Sequence, residues 1–545
     1  MNRRHFIKNL GLAASVPVLL NGFPLRAFAS PLAQWAALSN SDKVLVFVQL
    51  HGGNDGLNTF VPLNQYSEYY NLRANIALPY TGNRKLITLD TRLPDAQQIG
   101  IHPDMLAFKQ MYDEGSATVI QNVGYENINM SHFRGRDIYL MGGNYNDHFG
   151  SGWMGRFLED EYTGYPANYP NTDMPDPPAI EFNNNATLAL HRENGIPAGL
   201  CISNPDGFYN LVNSVGVNAP TEFPNNFYGD ELKYLMEFEK KTGQFAERLQ
   251  TVYNAGTNAK SITYPTTYTL NAPPQYSFNA LSGQLKIIAR LLSGGIKTRI
   301  FLVRIGGFDT HASQVETYDT SMGRHAALLY HLTTAMKAFY DDLKLQGLDK
   351  RVAAMTYSEF GRRVESNYGY GSDHGKAAPV MLFGTGLKGG VIGENPDLKN
   401  LDNGNLRYTN DYRKVYASVL TDWFGASESA LVASKFGDHI ANRFDLFGPA
   451  VSRNDLQQSQ NANQISCYPN PATQNITVEI ETEYSAKVQL AIYSIAGAEI
   501  FTLPAELSVG NLYQKQIDIQ HITPGNYICK ASINNKTSVV KFAKM

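Results

Sequence analysis

From Val44 to Leu50 the chain reads VLVFVQL, apolar at every position but one, and then empties into HGGNDG. Comparable runs stand at Ala117 to Val123, Arg299 to Ile305, Val352 to Tyr357 and Val380 to Phe383. Runs that are apolar without alternation predict strands covered on both faces. Between two of them, RHAALLYHLTTAMKAFYDDLKLQG (Arg324 to Gly347) repeats its apolar positions three and four apart and ends on glycine, which predicts one long amphipathic helix. Strands alternating with helices predict an α/β domain over 30–450, a mainly parallel sheet flanked by helices.

The pattern changes twice. SRNDLQQSQNANQ (Ser452 to Gln464) has no apolar period and predicts a linker over 451–465. Beyond it, over 466–545, short period-two runs (Ile476 to Ile480, Val488 to Tyr493, Gln516 to Ile519, Tyr527 to Ile533, Ser538 to Phe542) alternate with Asn, Gly and Pro turns. That predicts a small all-β sandwich. Inside the large domain, 167–274 is rich in Asn, Pro and Tyr and predicts a cap or insertion.

The first 29 residues carry Arg3-Arg4, an apolar stretch from Leu10 to Leu20, and Ala27-Phe28-Ala29. A twin-arginine pair, a short apolar core and a small-x-small site in that order predict a signal peptide, 1–29. An amphipathic N-terminal helix is the alternative. The stretch is too short, and broken by Pro17, to span a membrane, so no transmembrane helix is expected in the mature chain. Twin-arginine machinery exports proteins already folded, often with a metal or cofactor in place. The expected route passes through the periplasm.

Composition then narrows the partners. A net charge of -3 spread without long charge runs gives no footprint for nucleic acid. The cysteines, Cys201, Cys467 and Cys529, are too few for a disulfide framework or a thiolate metal site. Cys467 and Cys529 share a segment and could pair in an oxidising compartment, or stay isolated thiols.

Ligands bind at the carboxyl ends of strands in open parallel sheets, and polar residues collect there. His51, Asn54 and Asp55 follow the first strand; Ser131, His132 and Arg134 follow the second; Asp309 and His311, then Glu359 and Arg362, follow the next two. Asp373 and His374 stand just before the last. Oxygen and nitrogen donors brought from several loops to one sheet edge would suit a divalent metal: zinc, manganese, calcium or magnesium. Each piece also has a plainer reading. GGNDG is a good tight turn, Ser131 a good helix N-cap, His132 a packed histidine, and Glu359 could pair with Arg362 or Arg363.

Taken together, LHGGNDGLNTFVP, SHF, GWMGRF, GGFDTH, SEFGR and SDHGKAAPVMLFGTGLKGGVIG resemble the domain-of-unknown-function family numbered 1501, placed in the alkaline phosphatase superfamily beside sulfatases and phosphodiesterases. The resemblance implies metal ligands at Asp55, Asp309, His311, Glu359 and His374, with Asp373 flanking them. It implies a nucleophile at Ser131, and Arg134 or Arg362 on the transferred group. The chain departs from the superfamily in separating Asp309 and His311 by one residue and in placing Glu359 where an Asp-His pair is usual. Another alignment makes Asp373-His374 that pair and His439 the final ligand. Neither Cys201 nor Ser131 lies in the C/S-x-P-x-R motif of formylglycine sulfatases.

The tail resembles the type IX secretion sorting domain of Bacteroidetes surface proteins, through Tyr468-Pro469-Asn470-Pro471, Gly497, Pro524-Gly525-Asn526-Tyr527 and the closing Val540-Lys541-Phe542. It implies partnership with type IX export machinery and an end point at the cell surface or outside. The function implied is an exported metal-dependent hydrolase of phosphate or sulfate esters acting on a small-molecule or glycan ester. The alternative is a non-enzymatic surface binding protein that keeps the fold with a degenerate metal site.

Overall fold

Strand β1 (Val44–His51) sends alternate side chains into two different cores, which is why Val44 to Leu50 is apolar at all positions but Gln49. Val44, Val46, Val48 and Leu50 enter one; Leu45 and Phe47 enter the other. The computed structural model describes residues 19–20, 23–24, 42–183, 186–214, 242–448, 465–481, 487–494, 499–508, 512–533 and 536–545. They divide into two units, Met1–Ala450 and Val451–Met545. All of the expected linker but Ile465, which opens a strand, and most of the expected signal peptide fall outside the described residues.

The first unit is built on a nine-stranded sheet. Its strands are β1, β2 (Ala117–Gly124), β3 (Ala179–Phe182), β4 (Gly199–Ile202), β5 (Ile300–Gly306), β6 (Val352–Tyr357), β7 (Ala378–Gly384), β8 (Gly390–Ile392) and β9 (Asn410–Asp411). The order across the sheet is β8-β2-β7-β6-β1-β5-β3-β4, with β9 also on β2. Helices α1 (Leu106–Asp113), α4 (Ala280–Ser293) and α5 (Arg324–Leu345) pack in the core on one face. Helices α2 (His132–Met141), α3 (Trp153–Glu161) and α6 (Tyr412–Ser418) pack on the other. The expected long helix is α5, which ends at Leu345, with Gly347 just beyond at φ +69.

One feature differs from the sequence expectation. The segment 167–274 supplies β3 and β4, which extend the main sheet beside β5, so it is not solely an insertion. These strands are only four residues long, below what apolar runs can signal. The sheet is mainly parallel, as expected, with β7 alone among these central strands running antiparallel to both its neighbours, β6 and β2.

The second unit is an antiparallel sandwich. One sheet joins β10 (Ile465–Tyr468), β11 (Asn475–Glu481) and β15 (Leu512–Asp518). The other joins β12 (Lys487–Ser494), β13 (Glu499–Thr502), β16 (Gly525–Ile533) and β17 (Lys536–Lys544), with β14 (Glu506–Leu507) also on β12. Inward-facing Ile476, Val478, Val488, Leu490, Ala531 and Phe542 share one core. Cys467 and Cys529 are free thiols in that core, pushed up by burial to about 11 and about 12.

Candidate metal centre

The reversed direction of β7 decides where the site forms. Parallel strands β1, β5 and β6 deliver the residues that follow them to one sheet edge, whereas β7 delivers there the residues that precede it. Asp309, which follows β5, and His374, which precedes β7, therefore meet. A short antiparallel ladder pairs Gly361–Arg362 with His374–Gly375 and fixes the approach.

Asp309 is the hub. Its Oδ1 lies 3.2 Å from His374 Nε2 and 3.4 Å from His311 Nε2, and its Oδ2 lies 3.4 Å from His132 Nε2. One ligand atom each from His132, Asp309 and His374 falls within 4.8 Å of the others. Three imidazoles thus turn the same nitrogen toward one carboxylate. In each, the other nitrogen is held: His132 Nδ1 by Glu359 Oε1 at 3.0 Å, His311 Nδ1 by Asp373 Oδ1 at 3.2 Å, and His374 Nδ1 by the carbonyl of Met130 at 2.8 Å. An outer carboxylate or carbonyl on Nδ1 fixes ring orientation and leaves Nε2 as the donor, the arrangement found around metal-binding histidines. The donor set also fits by size, because bonds of about 2.1 Å in tetrahedral geometry place neighbouring ligand atoms about 3.4 Å apart.

The loops that carry these groups are laced together. Ser372 N donates to Thr310 O at 3.1 Å, Ser313 N to Gly369 O at 2.8 Å, and Gln314 N to Tyr370 O at 2.8 Å. Buried Arg362 closes the base: it donates to the carbonyls of Gly52, Gly53, Phe308 and Ser372 and, at 2.7 Å, to Asp309 Oδ1. Burial works to raise the Asp309 carboxyl, but the hydrogen bond and charge of Arg362, with His374 and His311, hold it down at about 2. His132 is raised, chiefly by its hydrogen bond to Glu359. Gly52 allows the closest approach: at φ +126, a Cβ there would stand 2.1 Å from Asp309 N.

Residues 228–430 match the family described as Protein of unknown function (DUF1501). Residues 466–545 match the Secretion system C-terminal sorting domain, which marks the chain for export to the cell surface or the extracellular space. No helix among the described residues is long and apolar enough to cross a membrane. No curated protein matches the chain.

Solved structures similar to the chain include proteins of the alkaline phosphatase superfamily. One, from Vibrio parahaemolyticus, is 12% identical with a TM-score of 0.29, covering 82% of this chain and 76% of that one. The alkaline phosphatase of the Antarctic bacterium TAB5 is 12% identical with a TM-score of 0.26, covering 72% of this chain and 98% of the enzyme. A surface component of the type-IX secretion system of Porphyromonas gingivalis is 16% identical with a TM-score of 0.12, covering 18% of this chain. The chain spans only 13% of that component's length.

The expected site residues fall into three groups. Asp309, His311, Asp373 and His374 join in one network, with Arg362 and Glu359 supporting it. Glu359 engages Gly52 N and His132 Nδ1 through Oε1, while its buried Oε2 has no hydrogen-bond partner. Ser131 sits on the rim at the N-cap of α2; it is exposed, and its hydroxyl does not cap the helix.

Asp55, Arg134 and His439 stand apart. Both Asp55 oxygens bond Arg73 Nη1 at 2.8 Å, and Gln314 Nε2 adds a third bond at 2.7 Å. Burial works to raise this carboxyl, and Arg73, His325 and Gln314 outweigh it and hold it below its usual range. Arg134 spends its guanidinium on the carbonyls of Tyr145 and Asp147, not on the centre, and the charges that act on His439 are those of Asp411, Arg413, Asp438 and Lys414, none of them at the centre. His132, which the sequence set among the polar residues after the second strand with packing as its plainer reading, was not in the ligand set the resemblance implied, yet its Nε2 faces Asp309. Its place one residue after Ser131 in SHF was the available signal.

Proposed function

We propose that the chain is an exported, metal-dependent hydrolase of phosphate or sulfate esters. The observation that carries this reading is the convergence of three Nε2 atoms on Asp309 with every Nδ1 already committed. His132, Asp309 and His374 would hold one divalent ion, with His311 beside Asp309 closing the set. A bound ion would supply Lewis-acid polarisation of the ester and partial neutralisation of its charge.

The chain's own residues supply the rest. Ser131 offers an exposed hydroxyl one residue before a ligand, placed as a nucleophile. The first-turn amides of α2 point at the same rim and favour anionic ester oxygens. Arg362 does not reach substrate in this reading. It organises the loops by tying Gly52, Gly53, Phe308 and Ser372 to Asp309. Asp55 anchors the loop after β1 through Arg73 rather than holding an ion.

Metal analysis and turnover test the reading together. Purified protein is expected to carry one zinc, manganese, calcium or magnesium ion per chain, and Asp309→Ala and His132→Ala to lose it. Hydrolysis of 4-nitrophenyl phosphate or sulfate is expected to follow metal content. Protein that binds no ion, or that turns over neither ester with any of these metals, would overturn it.

A further inference from the structure

Strand β5 is buried from Ile300 to Val303 and at Ile305, but exposed at Arg304 and Gly306. Side chains alternate between faces along a strand, so Arg304 shares the face of Ile300 and Leu302, on which α2 packs. β3 accompanies β5 only as far as Leu302. Beyond it, Gln284 of α4 seats the backbone: Arg304 N donates to Gln284 Oε1 at 3.1 Å, and Gln284 Nε2 donates to Arg304 O at 3.0 Å. The main chain is thus fixed, while the guanidinium forms no hydrogen bond or ion pair among the described residues.

Two rails lead from the metal centre toward this cation. On the sheet, Gly306 is in register with His51, and a Cβ on Gly306 would meet nothing within 4 Å, so the surface there is open. Arg304 stands two residues back, a step of about 7 Å. On α2, Arg136 follows His132 by four residues, which puts it on the same helix face with Cβ atoms about 6 Å apart. The His51 and His132 rings join the heads of the rails, with centroids 6.1 Å apart. Burial holds the His51 imidazole below its usual range; Glu359 works against that, and the charges of Arg304, His132 and Arg136 add to it. Arg136 pairs with Asp137, its neighbour in sequence, at 3.1 Å on the surface. Glu181, the buried carboxyl on this face, accepts from Thr187 N and Asn183 Nδ2 and joins neither cation.

We propose that Arg304 and Arg136 hold a second anionic group of the substrate, carried on the alcohol half of an ester whose phosphate or sulfate would lie at the Asp309 centre; this rests on the hydrolase reading above. A guanidinium presents planar, paired donors that match the oxygens of a carboxylate, phosphate or sulfate, and neither of these two is committed to a buried partner. Their place decides the reading: each stands one helix turn or one strand step from a histidine at the centre, on the open side of the sheet. The rails also give the substrate its direction, with the ester at the loops and the second anion along β5 and α2. Uncompensated cations beside an open site would draw such a dianion in from solution as well.

The test compares 4-carboxyphenyl and 4-carbamoylphenyl esters on the full chain, each as phosphate and as sulfate. The two alcohols match in shape and differ in charge, and para substitution sets the second anion about 7 Å from the ester, one two-residue strand step. The carboxyl ester is expected to show a KM at least about fivefold below that of its neutral counterpart. Arg304→Gln and Arg136→Gln are each expected to shrink that ratio, Arg304→Lys to keep most of it, and Arg304→Glu to invert it. Arg304 is exposed, so these changes at residue 304 remove no buried contact. Equal KM values in the parent, or a preference that both Gln variants leave intact, overturn the proposal. Equal turnover of both alcohols removes the second-anion site and keeps the hydrolase. Calorimetric titration with the same esters is read separately. Tighter binding of the carboxyl ester that is lost in Arg304→Gln, without turnover, keeps the anion site and removes the hydrolase; no binding and no turnover remove both.

Discussion

Replacing Asp55 by Asn tests whether this residue serves Arg73 or an ion. The Asp55–Arg73 pair is closed from solvent, at 1% and 0% side-chain exposure, with both carboxylate oxygens at 2.8 Å from one guanidinium nitrogen. Arg73 also donates to Val364 O, Arg363 O and Asn58 Oδ1, so it would stay in place without its counter-charge. Asparagine offers one acceptor and turns an N–H₂ toward the cation. Breaking a buried pair from one side costs about 3–5 kcal/mol. For a unit of roughly 400 residues the unfolding entropy is about 0.8 kcal/mol/K, so Tm should fall by about 4–6 °C. Asp402→Asn, which breaks the surface pair with Lys376, should leave Tm nearly unchanged and serves as the control. Differential scanning calorimetry with parallel metal analysis reads both. An Asp55→Asn protein that melts within about 1 °C of the parent, yet has lost its ion, would refute the assignment and restore Asp55 as a ligand.

Other outcomes follow from the same geometry. Glu359→Gln weakens the acceptor on His132 Nδ1 and should raise the metal Kd about 10–100-fold in a chelator competition. Ser131→Ala should lower nitrophenyl ester turnover by about 10³-fold or more while bound metal stays constant; full turnover would remove the serine from the chemistry. Gly52→Ala forces a Cβ against the backbone of Asp309 and should cost metal as well as stability, read by the same two measurements. Burial holds His325 at about 4. The unfolded chain takes up this proton below about pH 6.5 and the folded chain does not, so stability is complete above that pH and falls by about 3 kcal/mol as pH drops toward 4. A denaturation midpoint that stayed flat between those limits would contradict it.

The sequence made β1, β2, β5, β6 and β7 legible because their runs are apolar on both faces, as β1 and β6 show. It placed Asp309, His311 and His374 at loop positions that do converge. It could not show that Arg73, 18 residues away, claims Asp55, because nothing in HGGNDG separates a carboxylate aimed at a cation from one aimed at a guanidinium. His132 was obscured for the opposite reason: an imidazole beside a phenylalanine reads as packing until Glu359 is seen to orient it. The direction of β7 was also hidden, since an apolar run carries no sign of which way it will be laid down.

That direction has a consequence for biogenesis. Among the described residues, β7 is the strand that joins β2 to β6 in the sheet, and His374 arrives with it. Residues from α2, from the turn after β5 and from the lead-in to β7 come within reach of one another only when β7 is seated between β2 and β6. Ion retention in this chain would then be a gauge of completed assembly, since an intermediate still missing this strand has no means of keeping the charge.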